Sequence, residues 1–181
     1  MHIAFDTVRQ ITTPDEKGYT LLPPNRLILE ISEKSDLPTH RDGIRLLSPL
    51  NSFKERLVQY AQQLKIKFGI DDFGVGYSSV SRLAGLKPPY VKIDRDILHQ
   101  QQSDIIIRFV RELVAKSGEL HVIDIVVEGL DEHSPVKLHQ LKQLGINYVQ
   151  GYMIGKASSE VYRLTPEKYE SLRKLIYEAS D

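Results

Sequence analysis

The feature that most constrains the fold is an apolar run that ends in two adjacent carboxylates and is followed by a glycine-containing loop. Apolar residues at 66, 68 and 70 alternate with polar or small ones, which predicts a strand with one buried face and Asp71 at its carboxyl end. Gly74 and Gly76 allow the loop to turn sharply and to bring its N–H groups close to an anion. Asp71 and Asp72 repel each other unless a cation or water screens them, so the segment predicts either a cation site or a solvated turn.

Predicted strands and helices alternate along the rest of the chain. Apolar runs predict strands at residues 2–5, 26–31, 66–71, 90–94, 122–128 and 147–150. Helical periodicity predicts helices at residues 53–65, 79–86, 103–113, 134–144 and from 165 onward, with Ser103 and Ser134 as N-caps and Phe109 and Tyr169 facing the core. Residues 11–25 and 34–51 are predicted to be irregular. This alternation is typical of a parallel sheet, either an open doubly wound sheet or a barrel.

Polar residues at the ends of several predicted strands favour the barrel. They are Glu30, Asp71, Asp72, Lys92, Asp94, Glu128 and Gln150. Barrel enzymes build their sites at that rim from many strands. Only about six strands are predicted in the 181 residues, whereas a complete barrel of this type takes roughly 250 residues, so the chain is one or two strand–helix units short. We therefore predict one α/β domain over residues 1–181, a TIM-like (β/α) barrel that is N-terminally truncated or degenerate and lacks its first strand and helix unit.

Composition excludes several classes of function. The 24 basic residues balance the 24 acidic ones, so no overall field would hold the chain on nucleic acid or on a membrane surface. The absence of cysteine removes disulfides, thiolate metal sites and cysteine nucleophiles. No apolar run approaches a membrane span, and the first residues do not resemble a signal peptide. We expect a soluble, cytoplasmic protein.

The predicted rim has the side chains of a hard-cation site. Carboxylates without histidine or cysteine ligands suit magnesium, manganese or calcium rather than zinc. A nearby lysine such as Lys92 can balance charge that builds on a phosphoryl group. Two metal ions that share one carboxylate are a common arrangement for phosphodiester hydrolysis.

Each of these residues also has a structural interpretation. The carboxylates could be solvated strand ends, Glu30 could simply pair with Lys92, and Asp94 could neutralise Lys92 from the same strand face. Asp124 and Lys67, near the starts of their strands, are predicted to form a structural pair.

Taken together, five motifs in order closely resemble the EAL-domain family, which comprises bacterial cyclic-di-GMP (c-di-GMP) phosphodiesterases and degenerate relatives that sense this nucleotide. The resemblance extends over residues 22–156. Its motifs are Glu30-Ile31-Ser32-Glu33, Asp71-Asp72-Phe73-Gly74-Val75-Gly76-Tyr77-Ser78-Ser79, Lys92-Ile93-Asp94, Glu128-Gly129-Leu130-Asp131 and Gln150-Gly151-Tyr152. The fold that it implies is a modified TIM barrel, and the reaction is in-line hydrolysis of one phosphodiester bond, which opens c-di-GMP to linear pGpG.

The resemblance also implies roles for individual residues. It makes Asp71 a bridge between two Mg²⁺ or Mn²⁺ ions, Asp72 and Glu128 further ligands of one ion, and Glu30 a ligand of the other. It makes Lys92 the catalytic lysine that holds the attacking water, beside Asp71 and Glu128. The remaining expected site residues are Glu33 and Asp131, which would steady the loop after Asp72, the supporting acid Asp94, and the substrate-binding residues Gln150 and Tyr152.

The chain departs from the family pattern at several positions. Nothing in it matches the Glu-Ala-Leu signature, whose glutamate would bind the same ion as Glu30. Phe5 or Asp6 falls near the place of an asparagine ligand, Val75 replaces a usual threonine, and Asp131 replaces a usual glutamate. We therefore expect one intact ion site at most, and weak or no hydrolysis.

Three functions are compatible with these residues. The chain could be an active phosphodiesterase, a degenerate c-di-GMP receptor, or an interaction module that no longer binds nucleotide. Exposed barrel edges would favour pairing with another chain, so a homodimer is one expectation. An upstream sensor or GGDEF domain is the other partner that the resemblance implies.

Overall fold

A parallel sheet of five strands forms the centre of the protein. The computed structural model describes residues 5–34, 36–74, 77–117, 122–158 and 163–177. The strands, in their order across the sheet, are β1 (Ile28–Ser32), β4 (Lys67–Phe73), β5 (Tyr90–Ile93), β6 (Asp124–Val127) and β7 (Tyr148–Val149). Every neighbouring pair is parallel, so all carboxyl ends meet at one edge, which we call the carboxyl rim.

Helices connect the parallel strands, as crossovers between them require, and one further helix lies before the first strand and another after the last. They are α1 (Phe5–Thr12), α2 (Pro49–Leu64), α3 (Tyr77–Leu86), α4 (Arg95–Leu98), α5 (Ser103–Ser117), α6 (Leu138–Gln143) and α7 (Pro166–Tyr177), with a 3-10 turn at Pro24–Arg26. Apolar residues of the central strands pack against these helices. Ile70, Phe73, Val91, Ile93 and Val127 are completely buried.

A short antiparallel hairpin lies between β1 and α2, in the segment that was predicted to be irregular. Its strands are β2 (His40–Arg41) and β3 (Ile44–Arg45), joined by Asp42 and Gly43. Both loop residues have positive φ angles, 51° and 78°. A two-residue loop with this backbone favours Asp-Gly, so this dipeptide is the signal that identifies the hairpin.

Several local predictions differ from the structure. Phe5 begins helix α1 and does not end a strand, and the other residues of the predicted strand at 2–5 lie outside the described residues. Helix α6 begins at Leu138 and not beside Ser134, because the Ser134 hydroxyl is bonded to Asp131 in the preceding turn. Ser103, which was predicted to be the N-cap that precedes α5, is instead the first residue within the helix.

Two aromatic residues that were predicted to face the core are exposed. Phe109 is 52% exposed and Tyr169 is 56% exposed. Helix α5 instead buries Ile107, Val110 and Val114, and this face is rotated by one residue from the predicted one. A helix rich in apolar residues allows either face from periodicity alone, and packing selects between them. Within the described residues, no helix has both the length and the apolar character that crossing a membrane requires.

Gly151 provides a test of how tightly the chain packs after β7. Its φ is 154°, and a Cβ added there would overlap the backbone nitrogen and oxygen of Leu130. Because the obstacle is backbone and not a flexible side chain, we expect Gly151→Ala to lower the free energy of unfolding by about 2 to 4 kcal/mol in urea denaturation.

The control is Gly43→Ala in the hairpin, where φ is also positive but no atom lies within 4 Å of the added Cβ. Its cost should be about 1 kcal/mol, from backbone strain alone. Equal costs at the two glycines would contradict the proposed overlap with Leu130.

Candidate metal site

An irregularity in strand pairing places Asp71 and Asp72 on the same side of β4. Ile70 pairs with Val91 and Phe73 with Ile93, so two residues of β4 oppose the single Lys92 of β5. This is a β-bulge. Asp72 has a left-handed backbone with φ of 55°. Adjacent residues of a regular strand point to opposite faces. The bulge and the turn at Asp72 override that alternation, and the two carboxylates converge.

The third member of the group is Glu128, which directly follows β6. One carboxylate oxygen each from Asp71, Asp72 and Glu128 lie within 4.8 Å of one another, and all three residues are partly buried. We call these residues the acidic triad. Among the described residues, this is the one group of three or more acidic or histidine side chains that could share an ion.

Lys92 lies between carboxylates from three other strands. Its Nζ is 2.8 Å from Asp71 Oδ1, 3.0 Å from Glu128 Oε2 and 3.1 Å from Glu30 Oε1. Its side chain is only 10% exposed. Burial alone would lower the pKa of Lys92, but the hydrogen bonds to Asp71, Glu128 and Glu30 outweigh it and raise the pKa above its ordinary value. Lys92 is therefore a permanent cation at the centre of the rim.

The triad has the donor chemistry and spacing of a hard divalent cation. Magnesium and calcium lie about 2.0 to 2.6 Å from their oxygen ligands, so two ligand oxygens of one ion are up to about 5 Å apart. The triad meets that limit without rearrangement of the strands. Glu30 contacts Lys92 but is not within this spacing, and no other described acidic or histidine side chain joins it to form a second such group.

An outer pair of charges, which was not predicted from the sequence, lies beside the triad. Lys34 Nζ is 3.0 Å from Asp94 Oδ2 and 3.8 Å from Asp72 Oδ2. The Glu33 N–H donates to the Asp71 carbonyl at 3.0 Å, which directs the following Lys34 towards Asp72. Lys34 directly follows the motif that contains Glu33, and the ends of parallel neighbouring strands lie at the same edge of a sheet. Its place in the sequence could therefore have indicated a position near the end of β4.

Asp94 does not neutralise Lys92, contrary to one of the sequence-based interpretations. Its carboxylate accepts the backbone N–H of Asp96 at 2.8 Å and so caps helix α4, while its other oxygen binds Lys34. Burial raises the pKa of Asp94, but the Asp96 N–H and the Lys34 ammonium outweigh it and hold the pKa below its ordinary value.

Asp131 stabilises the loop that follows Glu128. Its carboxylate accepts the N–H of His133 at 2.9 Å and the hydroxyl of Ser134 at 3.2 Å, and it faces His99 at 3.7 Å. Burial raises the pKa of Asp131, but these hydrogen bonds and the charges of His99 and His133 lower it overall. Part of the loop after Asp72, which Glu33 and Asp131 were expected to support, lies outside the described residues.

The two predicted substrate-binding residues lie on an exposed part of the chain after β7. The backbone of Gln150 joins β6 and the next loop, through bonds to the Val127 carbonyl at 2.8 Å and the Leu130 N–H at 3.0 Å. Tyr152 is 71% exposed. The predicted pair of Asp124 and Lys67 is not formed. The Lys67 ammonium instead donates to the Tyr90 hydroxyl at 3.4 Å and lies 5.4 Å from the centroid of the Tyr90 ring.

Comparison with known proteins identifies one family. A model of the EAL domain matches residues 14–157. The chain is 30% identical over 139 residues to an Escherichia coli (strain K12) protein named probable cyclic di-GMP phosphodiesterase PdeA, covering 75% of this chain and 17% of that protein. The chain thus spans about a fifth of the length of the curated relatives that it matches.

Solved structures show the same fold. The PaMucR phosphodiesterase in its c-di-GMP complex is similar with a TM-score of 0.53 and 29% identity, over 74% of this chain and 49% of that one. The Bacillus subtilis YkuI protein, with an EAL domain in complex with c-di-GMP and calcium, has a TM-score of 0.63 and 22% identity, over 86% and 35% of the two chains. These matches confirm the predicted resemblance and the predicted fold class, and the five strands form part of a TIM-like barrel.

The lowered pKa of Asp94 leads to a pH-dependent prediction. A carboxylate with a lowered pKa in the folded state contributes stability above its ordinary pKa, near 4, and loses it as the pH falls through the lowered value. Asp94→Asn keeps a helix cap but loses the ion pair with Lys34. We expect it to cost about 1 kcal/mol in urea denaturation at about pH 7, and clearly less at about pH 3.

The matched control is Asp42→Asn in the hairpin, whose side chain is 89% exposed and lies 3.7 Å from Arg41. This change should alter stability by less than about 0.5 kcal/mol at either pH. A cost for Asp94→Asn that is the same at both pH values would show that its charge does not stabilise the fold.

Proposed function

Since the chain belongs to the EAL domain family, we propose that it binds c-di-GMP at its carboxyl rim together with one Mg²⁺ or Mn²⁺ ion, and that it hydrolyses the nucleotide slowly at most. The observation that carries this proposal is the acidic triad, with oxygens of Asp71, Asp72 and Glu128 within 4.8 Å beside the Lys92 ammonium. The carboxylates of the acidic triad would repel an anionic phosphodiester unless positive charge at the site balanced them. The ion and Lys92 would supply it.

Asp71, Asp72 and Glu128 would hold the ion. A divalent ion in such a site supplies Lewis acidity, which polarises a phosphoryl oxygen and makes bound water more acidic. Lys92 would donate from Nζ to a phosphate oxygen or to the attacking water. All three of its carboxylate contacts would compete for that donation, and the contact with Glu30, whose side chain is 46% exposed, is the easiest to exchange.

Slow hydrolysis is expected because few ligands are available for a second ion, which Glu30 would hold. The family mechanism uses two ions, and Glu30 would hold the second one with Asp71. The chain lacks a match to the Glu-Ala-Leu signature, and no further described carboxylate joins Glu30 and Asp71 within the spacing of an ion site. A single ion would stabilise less of the charge that develops on the phosphate. Binding therefore needs fewer of these residues than hydrolysis does.

Calorimetric titration with c-di-GMP tests this proposal. One titration is made in EDTA and one in magnesium, and the recovered nucleotide is separated by chromatography. We expect binding that is stronger in magnesium, because the ion neutralises the acidic triad, with the recovered nucleotide mostly intact. Asp71→Asn, which removes the central carboxylate, should abolish the difference between the two buffers.

The control for that experiment is Lys142→Met, which removes an exposed charge on α6 outside the carboxyl rim. It should bind as the unaltered chain does. Rapid formation of pGpG in magnesium would contradict slow hydrolysis, and intact nucleotide with equal binding in both buffers would indicate a receptor that needs no ion. No heat in either buffer would favour an interaction module without nucleotide binding.

The outer edge of β1 favours an additional role in association. In the described sheet β1 pairs with β4 alone, and Ile28 on β1 is 40% exposed. An open strand edge can pair with another strand. We propose that a second copy of the chain, or an adjoining sensor or GGDEF domain, covers this edge. If a second copy covers the edge, light scattering of the isolated chain should give the mass of a dimer, and a monomer over the whole concentration range would count against self-association.

A further inference from the structure

We propose that Lys34 sets the cation affinity of the acidic triad by competing with a divalent ion for Asp72. The Lys34 ammonium lies 3.8 Å from Asp72 Oδ2 on a side chain that is 64% exposed, and it acts as an exchangeable counter-ion of that carboxylate. This inference rests on the proposed ion site and concerns a residue outside the acidic triad. It predicts that the triad binds divalent ions more weakly than its three carboxylates alone would.

The position of Lys34 is determined by contacts on both sides. Its backbone follows Glu33, whose N–H is bonded to the Asp71 carbonyl at 3.0 Å, and its own N–H approaches Ser32 Oγ at 3.3 Å. Its ammonium is bonded to Asp94 Oδ2 at 3.0 Å. Asp94 is held in turn as the cap of α4, through the Asp96 N–H at 2.8 Å. The lysine is therefore anchored next to the triad.

The two lysines of the rim differ in how easily they can leave. Lys92 is 10% exposed and contacts three carboxylates, so removing it from the site would leave several charges uncompensated. Lys34 is 64% exposed, and its contact with Asp72 at 3.8 Å is longer than its bond to Asp94. Lys34 can therefore give up Asp72 to an ion while it keeps Asp94, at the cost of close repulsion between the ammonium and that ion.

The repulsion gives the size of the effect. A unit positive charge about 6 Å from a divalent ion, in a medium as polar as water, weakens binding of the ion by about tenfold, and salt reduces the effect. Removal of the Lys34 charge should therefore strengthen divalent binding by about five- to tenfold. The change applies to the ion alone and needs neither nucleotide nor turnover.

Titration with Mn²⁺, followed by electron paramagnetic resonance of the free ion, measures this affinity directly. The proteins are the unaltered chain, Asp71→Asn, Lys34→Met, Lys34→Arg and Lys142→Met. We expect about five- to tenfold tighter Mn²⁺ binding for Lys34→Met. Lys34→Arg keeps the charge and Lys142→Met removes a distant one, so both should match the unaltered chain. Far-UV circular dichroism checks that each protein is folded.

The outcomes separate this inference from the proposed function. If Asp71→Asn weakens Mn²⁺ binding but Lys34→Met leaves it unchanged, the role of Lys34 is overturned and the ion site stands. If only Lys34→Met binds Mn²⁺, the competition is supported, and the unaltered chain does not hold the proposed ion under these conditions. If no protein binds Mn²⁺, both proposals are overturned, because removing the competing charge should have exposed the site.

Discussion

The buried ammonium of Lys92 organises the carboxyl rim. It extends from β5 and contacts Asp71 of β4, Glu128 after β6 and Glu30 of β1, so one cation joins four of the five strands. Carboxylates this close would repel one another without it, and a lysine this buried would be costly without them. Neither charge is stable alone in this position. The geometry of the site and the local stability of the sheet therefore depend on the same contacts.

The second constraint is the bulge in β4. A strand with strict alternation would place Asp71 and Asp72 on opposite faces, and only one of them could reach Glu128. The extra residue between Ile70 and Phe73, together with the left-handed backbone of Asp72, directs both carboxylates to the rim. Such a backbone is uncommon for a residue with a side chain, although aspartate adopts it more readily than most. Local backbone strain of this kind is often found at functional sites.

The rim has two layers of positive charge. Lys92 forms the inner layer and is shielded from solvent, whereas Lys34 forms the outer layer and is exposed between Asp72 and Asp94. The inner charge holds the strand ends together, and the outer one can exchange with an ion or a ligand. In a family whose named relatives include c-di-GMP phosphodiesterases, this arrangement separates the cation that maintains the site from the cation that can adjust its occupancy.

The sequence by itself determined the family, the order of the five parallel strands and the residues of the acidic triad, because apolar periodicity and short motifs are local properties of the chain. It did not determine which face of α5 is buried, where α6 begins or that Asp42 and Gly43 form a hairpin loop. It also left open whether Asp94 neutralises Lys92, and the structure shows that Asp94 binds Lys34 instead. Only the tertiary structure decided these points, since ion pairs and packing between strand ends depend on distances between residues far apart in sequence. The Lys34 and Asp94 contact, for example, joins residues 60 positions apart.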